Sequence, residues 1–454
     1  MTRRRSRLGM WLWELRYKIG PNLWAVPFLM AAGTLVVFGV TRQLDRHWAA
    51  NLSNAPRFLP EWIIARTAAD ADVVLSAMLS ALATSLSLVF SISVLTFSLA
   101  AAQLGPRLIR RFMLDPVTQV TLGAFLSAIV MCALTLGSVS TSRARHTVPA
   151  VSYAVAFVMG LATFFLLIVY VHRVATTIQA PRVVSTVVRD LDSTVQAAAV
   201  YLPDVVRSTD AGRVAALQAQ ALAEGEVVVA ERSGYFQAFD HLRIIDVTEA
   251  LDAVVVLDHR VGQFVVSGQP LARVVPAGAA DSVRRALHEA AEIGDSRTIE
   301  QDIEFALNQV VEIALRALSP AVNDTFTGRT CVDWLGDALS RIGARPDPTG
   351  GLCGDDGTVR LVEPPLRFER LLRNCFDAVR QSAATNPAIT LRMFDSLVLL
   401  VRTVDSSNVD AVQRYAEVLR ESATASVMAG QDAADVADRY ERVQTAVAGR
   451  RLPD

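Results

Sequence analysis

The sequence predicts an α-helical membrane protein: four transmembrane helices, then a cytosolic α+β domain in which a small β-rich module precedes a helical bundle. Three observations lead there. Four stretches within the first 172 residues lack Asp, Glu, Lys, Arg and His, short β-branched runs punctuated by glycine and proline fill 226 to 276, and helical periodicity dominates from about 279 to 448.

The composition divides at the same place. A hydrophobic share of 52% and a mean hydropathy of +0.33 exceed what an ordinary soluble chain carries. Residues 1 to 172 hold 15 basic and 6 acidic side chains, a balance of +9, which leaves 29 basic and 39 acidic, or −10, for 173 to 454. An acidic soluble part argues against nucleic acid as a partner. Cys132, Cys331, Cys353 and Cys375 are scattered without a CxxC pair, which reads as reduced thiols in a cytosolic compartment. Lys18 is the only lysine, so residues 173 to 454 contain no Walker A, Schiff-base, lipoyl or biotinyl lysine. No cofactor is implied, and the inventory of nucleophiles, metal motifs and phosphate loops is poor for an enzyme.

The membrane domain, 1–172, has its spans at about 19–41, 73–106, 116–142 and 147–171, each reaching the ~20 residues that cross ~30 Å of hydrocarbon. Arg3, Arg4, Arg5, Arg7, Arg16 and Lys18, with Trp11, Trp13 and Trp24, form a basic, aromatic collar before and into the first span. Such a collar sits at the cytoplasmic surface, and the Arg107, Arg110 and Arg111 loop agrees. An even number of spans then puts both termini in the cytoplasm, for a multi-pass protein of the cell (inner) membrane with the lipid bilayer as its first partner.

The second span is the unusual one. Its 34 uncharged residues would run about 50 Å as a helix. Among its hydroxyls, Ser76, Ser80, Thr84, Ser87, Ser91 and Ser98 step by 4, 4, 3, 4 and 7 and so share one face. Close helix packing is the first explanation, because small faces let backbones approach. Lining water in an oligomeric pore is the second, because charge-free hydroxyls lower the barrier to a polar solute.

Three regions make up the soluble part. Residues 173–225 read as a helical connector that continues the fourth span, 226–276 as the small β-rich module, and 277–454 as the cytosolic helical domain. In the module, EVVVA, GYFQAF, AVVVL, GQFVV and PLARVV are the strand candidates, with a helix at 241 to 252. Gly262, Phe264, Val265, Gly268, Pro270 and Leu271 resemble the turn of hammerhead (lipoyl or biotinyl) barrels, but the carrier lysine is missing, which leaves a turn with glycines at positive φ. Helices are expected at 279–293, 298–318, 326–343, 366–384, 387–404, 407–426 and 430–448, with a Gly/Asp/Pro-rich break at 344–357.

The densest stretch is Arg297 to Asp333. Gln301, Glu304, Asn308 and Glu312 recur at 3, 4 and 4 as a polar helix stripe, which is normally solvated. After Ser319-Pro320 ends that helix, Asn323, Asp324 and Thr325 offer capping oxygens to the next. Asp302, Asn323 and Asp324 also form a candidate cation or polar-ligand site, since a hard cation takes such oxygens and the two aspartates are expected near one another. Asp240-His241 and Asp258-His259 carry no G-x-S-x-G elbow, and no catalytic triad emerges.

Gln301-Asp302, the run Ala314 to Pro320, Asn323 to Thr327, the GQFVVSGQPLA turn, and Phe97 to Arg111 with Asp115 resemble the bacterial membrane-protein family known as domain of unknown function twenty-two fifty-four. The resemblance covers nearly the whole chain. It implies a multi-pass topology and a membrane location without an activity, and Thr325 stands where it implies proline.

Two functions from different classes fit these readings. One is an oligomeric channel or transport-related protein, motivated by the hydroxyl stripe and by a soluble domain large enough for a vestibule. The other is a membrane-anchored regulatory or scaffold protein whose cytosolic domain binds a partner.

Overall fold

The computed structural model describes residues 23–49, 68–104, 115–142, 149–177, 184–185, 188–189, 207–299, 301–426 and 430–451. The N-terminal basic collar up to Lys18, the 107 to 111 arginines and, within the 173–225 connector, residues 178–183, 186–187 and 190–206 lie outside these residues. The chain forms two compact units, Met1–Gln179 and Ala180–Asp454.

The first unit contains α1 (Ala25–Ala49), α2 (Ala68–Leu104), α3 (Pro116–Ser142) and α4 (Ala150–Thr177), all long and apolar enough to cross a membrane. Several helix ends differ from the spans read in the sequence, among them the end of α4, which runs on to Thr177. Helix α1 continues past 41 through Arg42, Asp45 and Arg46, and α2 starts at Ala68 with Asp70 in its first turn. Charge marks where hydrocarbon ends, not where a helix ends, and an acid at a helix start is favoured by the macrodipole. Helix α3 is the centre, packing on α1, α2 and α4. Half of its most apolar window is buried, against 17% for α1 and α2. Leu75, Leu82, Val89, Phe125, Met131 and Tyr170 build the shared core.

In the second unit, α5 (Ala211–Glu224) is capped by Asp210, whose carboxylate accepts the Arg213 N–H at 2.8 Å. Then come β1 (Glu226–Val229), β2 (Gly234–Phe239), α6 (His241–Ala250), β3 (Val254–Leu257), β4 (Phe264–Val265) and β5 (Pro270–Val275). These match the expected runs. The turn from β4 to β5 places Gly268 at φ +78°, as a glycine turn requires.

The β structure does not stop at 276. After α7 (Ala280–Ala290), β6 (Ala291–Gly294) joins β2 and β4 in a three-stranded sheet of order β4-β2-β6. Strands β7 (Gly351–Cys353) and β8 (Val359–Val362) complete a five-stranded sheet of order β1-β5-β3-β8-β7. The helix expected to run to 293 thus ends at Ala290, and the expected break at 344–357 holds β7. Strand β8 pairs in parallel with β3, Val255 opposite Leu361, across a sequence distance that no local pattern spans. The core between sheets and helices includes Phe236, Phe239, Ile244, Val255, Leu271, Leu287 and Leu361.

The helical bundle follows expectation closely: α8 (Ile303–Ala317), α9 (Thr325–Gly343), α10 (Phe368–Ser382), α11 (Pro387–Thr403), α12 (Val409–Ala425) and α13 (Gly430–Arg451). Helix α8 packs on both α9 and α10, and α11 packs on α9, α12 and α13.

Candidate functional site

On α2 the residues buried against the other helices are Ala71, Leu75, Leu82, Val89, Ser93 and Thr96. At ~100° per residue, their mean direction lies about 170° from that of Ser76, Ser80, Thr84, Ser87, Ser91 and Ser98. All six of those hydroxyl residues are exposed on the protomer. Packing against the chain's own spans therefore does not account for the stripe. Its hydroxyls turn back on their own helix: Ser80 donates to the Ser76 carbonyl at 3.0 Å, Thr84 to Ser80 at 2.9 Å and Ser91 to Ser87 at 2.9 Å. Each such oxygen keeps its lone pairs for the outside.

The second candidate region is built from turns and caps. Gln301 acts as a strand partner for the end of β2, its Oε1 accepting the Phe239 N–H at 3.0 Å and its Nε2 donating to the Phe239 carbonyl at 3.2 Å. Asp302 caps α8 by accepting the Phe305 N–H at 2.9 Å, and it receives Nε and Nη2 of Arg297 at 2.7 and 2.8 Å. Burial pushes its carboxyl above the ordinary range despite that guanidinium. The fit is tight: Gly262 has φ +93°, and a Cβ there would run into the Asp302 carboxylate.

Ser319 donates to the Arg316 carbonyl at 2.8 Å, closing α8. Asn323 turns the chain at φ +48°, and Asp324 caps α9 through the Thr327 N–H at 3.0 Å and hydroxyl at 2.6 Å. These bonds hold the Asp324 carboxyl below its usual range. Asn386 donates to Thr325 Oγ1 at 3.0 Å, tying the turn to the start of α11. The capping reading thus accounts for this stretch. The expected proximity of Asp302 and Asp324 fails, because Asp302 caps the start of α8 while Asp324 caps α9 beyond the other end of α8, whose 15 residues span about 22 Å. Among the described residues, no group of three or more His, Cys, Asp or Glu side chains is arranged to hold a metal.

Two carboxylates matter more than the sequence suggested. Glu304, read as part of a solvated stripe, is buried at 6% exposure because α10 covers that side of α8. It accepts from Arg260 at 2.5 Å, Arg370 at 2.7 Å and Asn374 at 2.6 Å. Burial by itself would raise this carboxyl, but the bonds from Arg370 and Arg260 outweigh burial and hold it below its ordinary value. Only the structure discloses this: Ala306, Gln309 and Ile313, on the other flank of the expected apolar face, are buried too, so the helix is enclosed on more than one side.

The other is Asp45, in the last turns of α1. It caps α4 from another helix, accepting the N–H groups of Val151 at 2.8 Å and Ser152 at 3.1 Å. Nothing local to either helix announces such a bond.

Four helices long and apolar enough to cross a membrane, followed by a mixed α/β region and further helices, mark the class of predicted membrane proteins. The chain belongs to the DUF2254 family of predicted membrane proteins, whose model matches residues 21–398. Two uncharacterized mycobacterial proteins, Mb1321c of Mycobacterium bovis and Rv1290c of Mycobacterium tuberculosis, are each 28% identical to it over 381 residues, 82% of this chain and 71% of theirs. No solved structure matches the chain.

Proposed function

We propose that the protein is an oligomer of the cell (inner) membrane in which the hydroxyl face of α2 is turned toward neighbouring copies and lines a path for a polar solute. The observation that supports this reading is the placement of Ser76, Ser80, Thr84, Ser87, Ser91 and Ser98 opposite the packed face of α2. Lipid gives no reason to gather hydroxyls on one face, whereas a second helix or water does. The basic N-terminal collar and the four candidate spans favour cytoplasmic termini, which puts the second unit in the cytoplasm.

Cysteine replacement tests this directly, because all four native cysteines are buried. Burial raises the Cys331 thiol to about 12 and also raises that of Cys353, which keeps both silent toward thiol reagents. In vesicles, Ser80→Cys, Ser87→Cys and Ser91→Cys are expected to react with a membrane-impermeant thiol reagent and to cross-link between copies, with Leu82→Cys at a fully buried position as the unreactive control. No labelling and no cross-linking at the three stripe positions would reject the reading.

A membrane-anchored regulatory or scaffold role is the second reading. It is favoured by the turn between α8 and α9, where Val322 is 57% and Phe326 is 81% exposed. An apolar tip of that kind suits a protein partner.

A further inference from the structure

Helix α5 lies on the five-stranded sheet, packing against β3, β5 and β8 through Val214, Leu217 and Ala221. A helix laid on a sheet ordinarily turns charged and polar side chains to the outside. This one does not. At ~100° per residue, the arc of about 140° that points away from the sheet holds no polar side chain. It is made of alanines, Gly212 and Leu222, and every one of them is exposed, Leu222 at 67%. Its mean direction lies about 160° from that of the three buried residues, so packing on the sheet does not account for it.

The face is complementary to itself. Turned antiparallel about a two-fold axis at Ala219, it sets Ala215 against Ala223 and Ala216 against Leu222 of a second copy, as an isologous pair requires. The only charged residues of the helix, Arg213 in its first turn and Glu224 at its end, lie beyond the same edge of the face. Neither is ion-paired among the described residues, and Glu224 meets Gln220 Nε2 at 3.4 Å. The antiparallel arrangement brings each Arg213 toward Glu224 of the second copy, and each helix's positive start beside the other's negative end. A parallel arrangement would lose both matches. We infer that α5 is a contact between copies of this chain, packed antiparallel on its counterpart through Ala215, Ala219 and Leu222. Alanines let two helices approach closely, and Leu222 fills the margin. A pair of 14-residue helices is small for an interface in free solution, so copies held in one bilayer, at high effective concentration, are the ones expected to make it. The contact is separate from the hydroxyl face of α2 and does not depend on the channel reading.

The test is disulfide cross-linking of the full chain in vesicles at a low ratio of protein to lipid. Ala219→Cys sits on the two-fold axis and is expected to give several-fold more dimer under mild oxidation than Ser382→Cys, an exposed position on α10. Adding Arg213→Glu to the Ala219→Cys chain should lower that yield several-fold. Adding Glu224→Arg as well should restore it, a rescue that a merely structural role for either charge would not produce. A yield at Ala219→Cys no greater than at Ser382→Cys, or one that Arg213→Glu leaves unchanged, would overturn the proposal. So would protection of Ala219→Cys from a soluble thiol reagent without cross-linking, which assigns the face to lipid or to a different protein. Should Ala219→Cys fail to fold, vesicles holding a mixture of Ala215→Cys and Ala223→Cys chains decide: a heterodimer supports the antiparallel register, and homodimers alone overturn it. Cross-linking at Ser87→Cys without cross-linking at Ala219→Cys would strike this contact and leave the α2 reading standing, and the opposite pattern would do the reverse.

Discussion

Asp45 near the end of α1 accepts the hydroxyl of Ser152 at 2.6 Å and its N–H at 3.1 Å, capping the start of α4 across a helix pair. A helix start leaves four N–H groups without partners, and a carboxylate there also meets the positive end of the macrodipole. Asp45→Ala should therefore destabilise the full chain in detergent by about 1 to 2 kcal/mol. Asp45→Asn should recover part of the loss by keeping the acceptor. Equal melting of Asp45→Ala and the parent chain would show the cap to be idle.

Glu304 predicts a pH dependence. Its carboxyl is held below the ordinary range in the folded chain, so its ion pairs stabilise fully above the unfolded value of ~4.3. That contribution is lost as pH falls through the folded value. Acid unfolding of the parent should steepen below about pH 4.5, and Glu304→Gln should flatten it while costing about 3 kcal/mol at neutral pH, because Arg260 is left without its buried partner. An unchanged acid profile in Glu304→Gln would assign the pH response to other carboxylates.

The contrast between these two carboxylates and the helices around them explains what a sequence discloses. Spans and bundle helices were legible because apolar periodicity is a local signal repeated over many turns, and α9, α11 and α12 start and end within a few residues of expectation. The cap at Asp324 was legible from its residue type, whereas Asp302 falls inside the helix expected from 298 and in the structure caps α8, which starts at Ile303, while also taking Arg297. The pairing of β3 with β8, the cover of α10 over Glu304 and the reach of Asp45 to Ser152 were not legible. Each joins segments far apart in the chain, and no short pattern encodes the partner.

Gly262 and Gly268 give a paired prediction, since both hold positive φ, at +93° and +78°. A Cβ at Gly268 meets nothing within 4 Å, whereas at Gly262 it would sit inside contact distance of all three carboxyl atoms of Asp302. Gly268→Ala should cost only the backbone strain, about 1 kcal/mol. Gly262→Ala must also displace the Arg297–Asp302 pair, and a loss of 3 kcal/mol or more, roughly, is expected by chemical denaturation. Similar losses for the two variants would mean that Asp302 can move aside.

The hydroxyl stripe supplies the prediction that separates its two environments. Ser80, Ser87 and Ser91 face away from the chain's own core, so enlarging each to leucine adds no volume to any contact within the protomer. Protomer unfolding should therefore move by less than about 0.5 kcal/mol, the usual range for a surface site. What changes depends on what lies outside. If two α2 faces meet, three leucines force the helices apart, and the oligomer dissociates in cross-linking and native mass measurements. If the face lines water, the oligomer persists and solute flux into liposomes falls, because an apolar constriction dewets. The proposed function expects the second pattern. Protomer destabilisation by Ser→Leu at all three positions would contradict the outward placement itself, whereas unchanged assembly together with absent flux in the parent would leave the stripe facing lipid and return the weight to the scaffold reading.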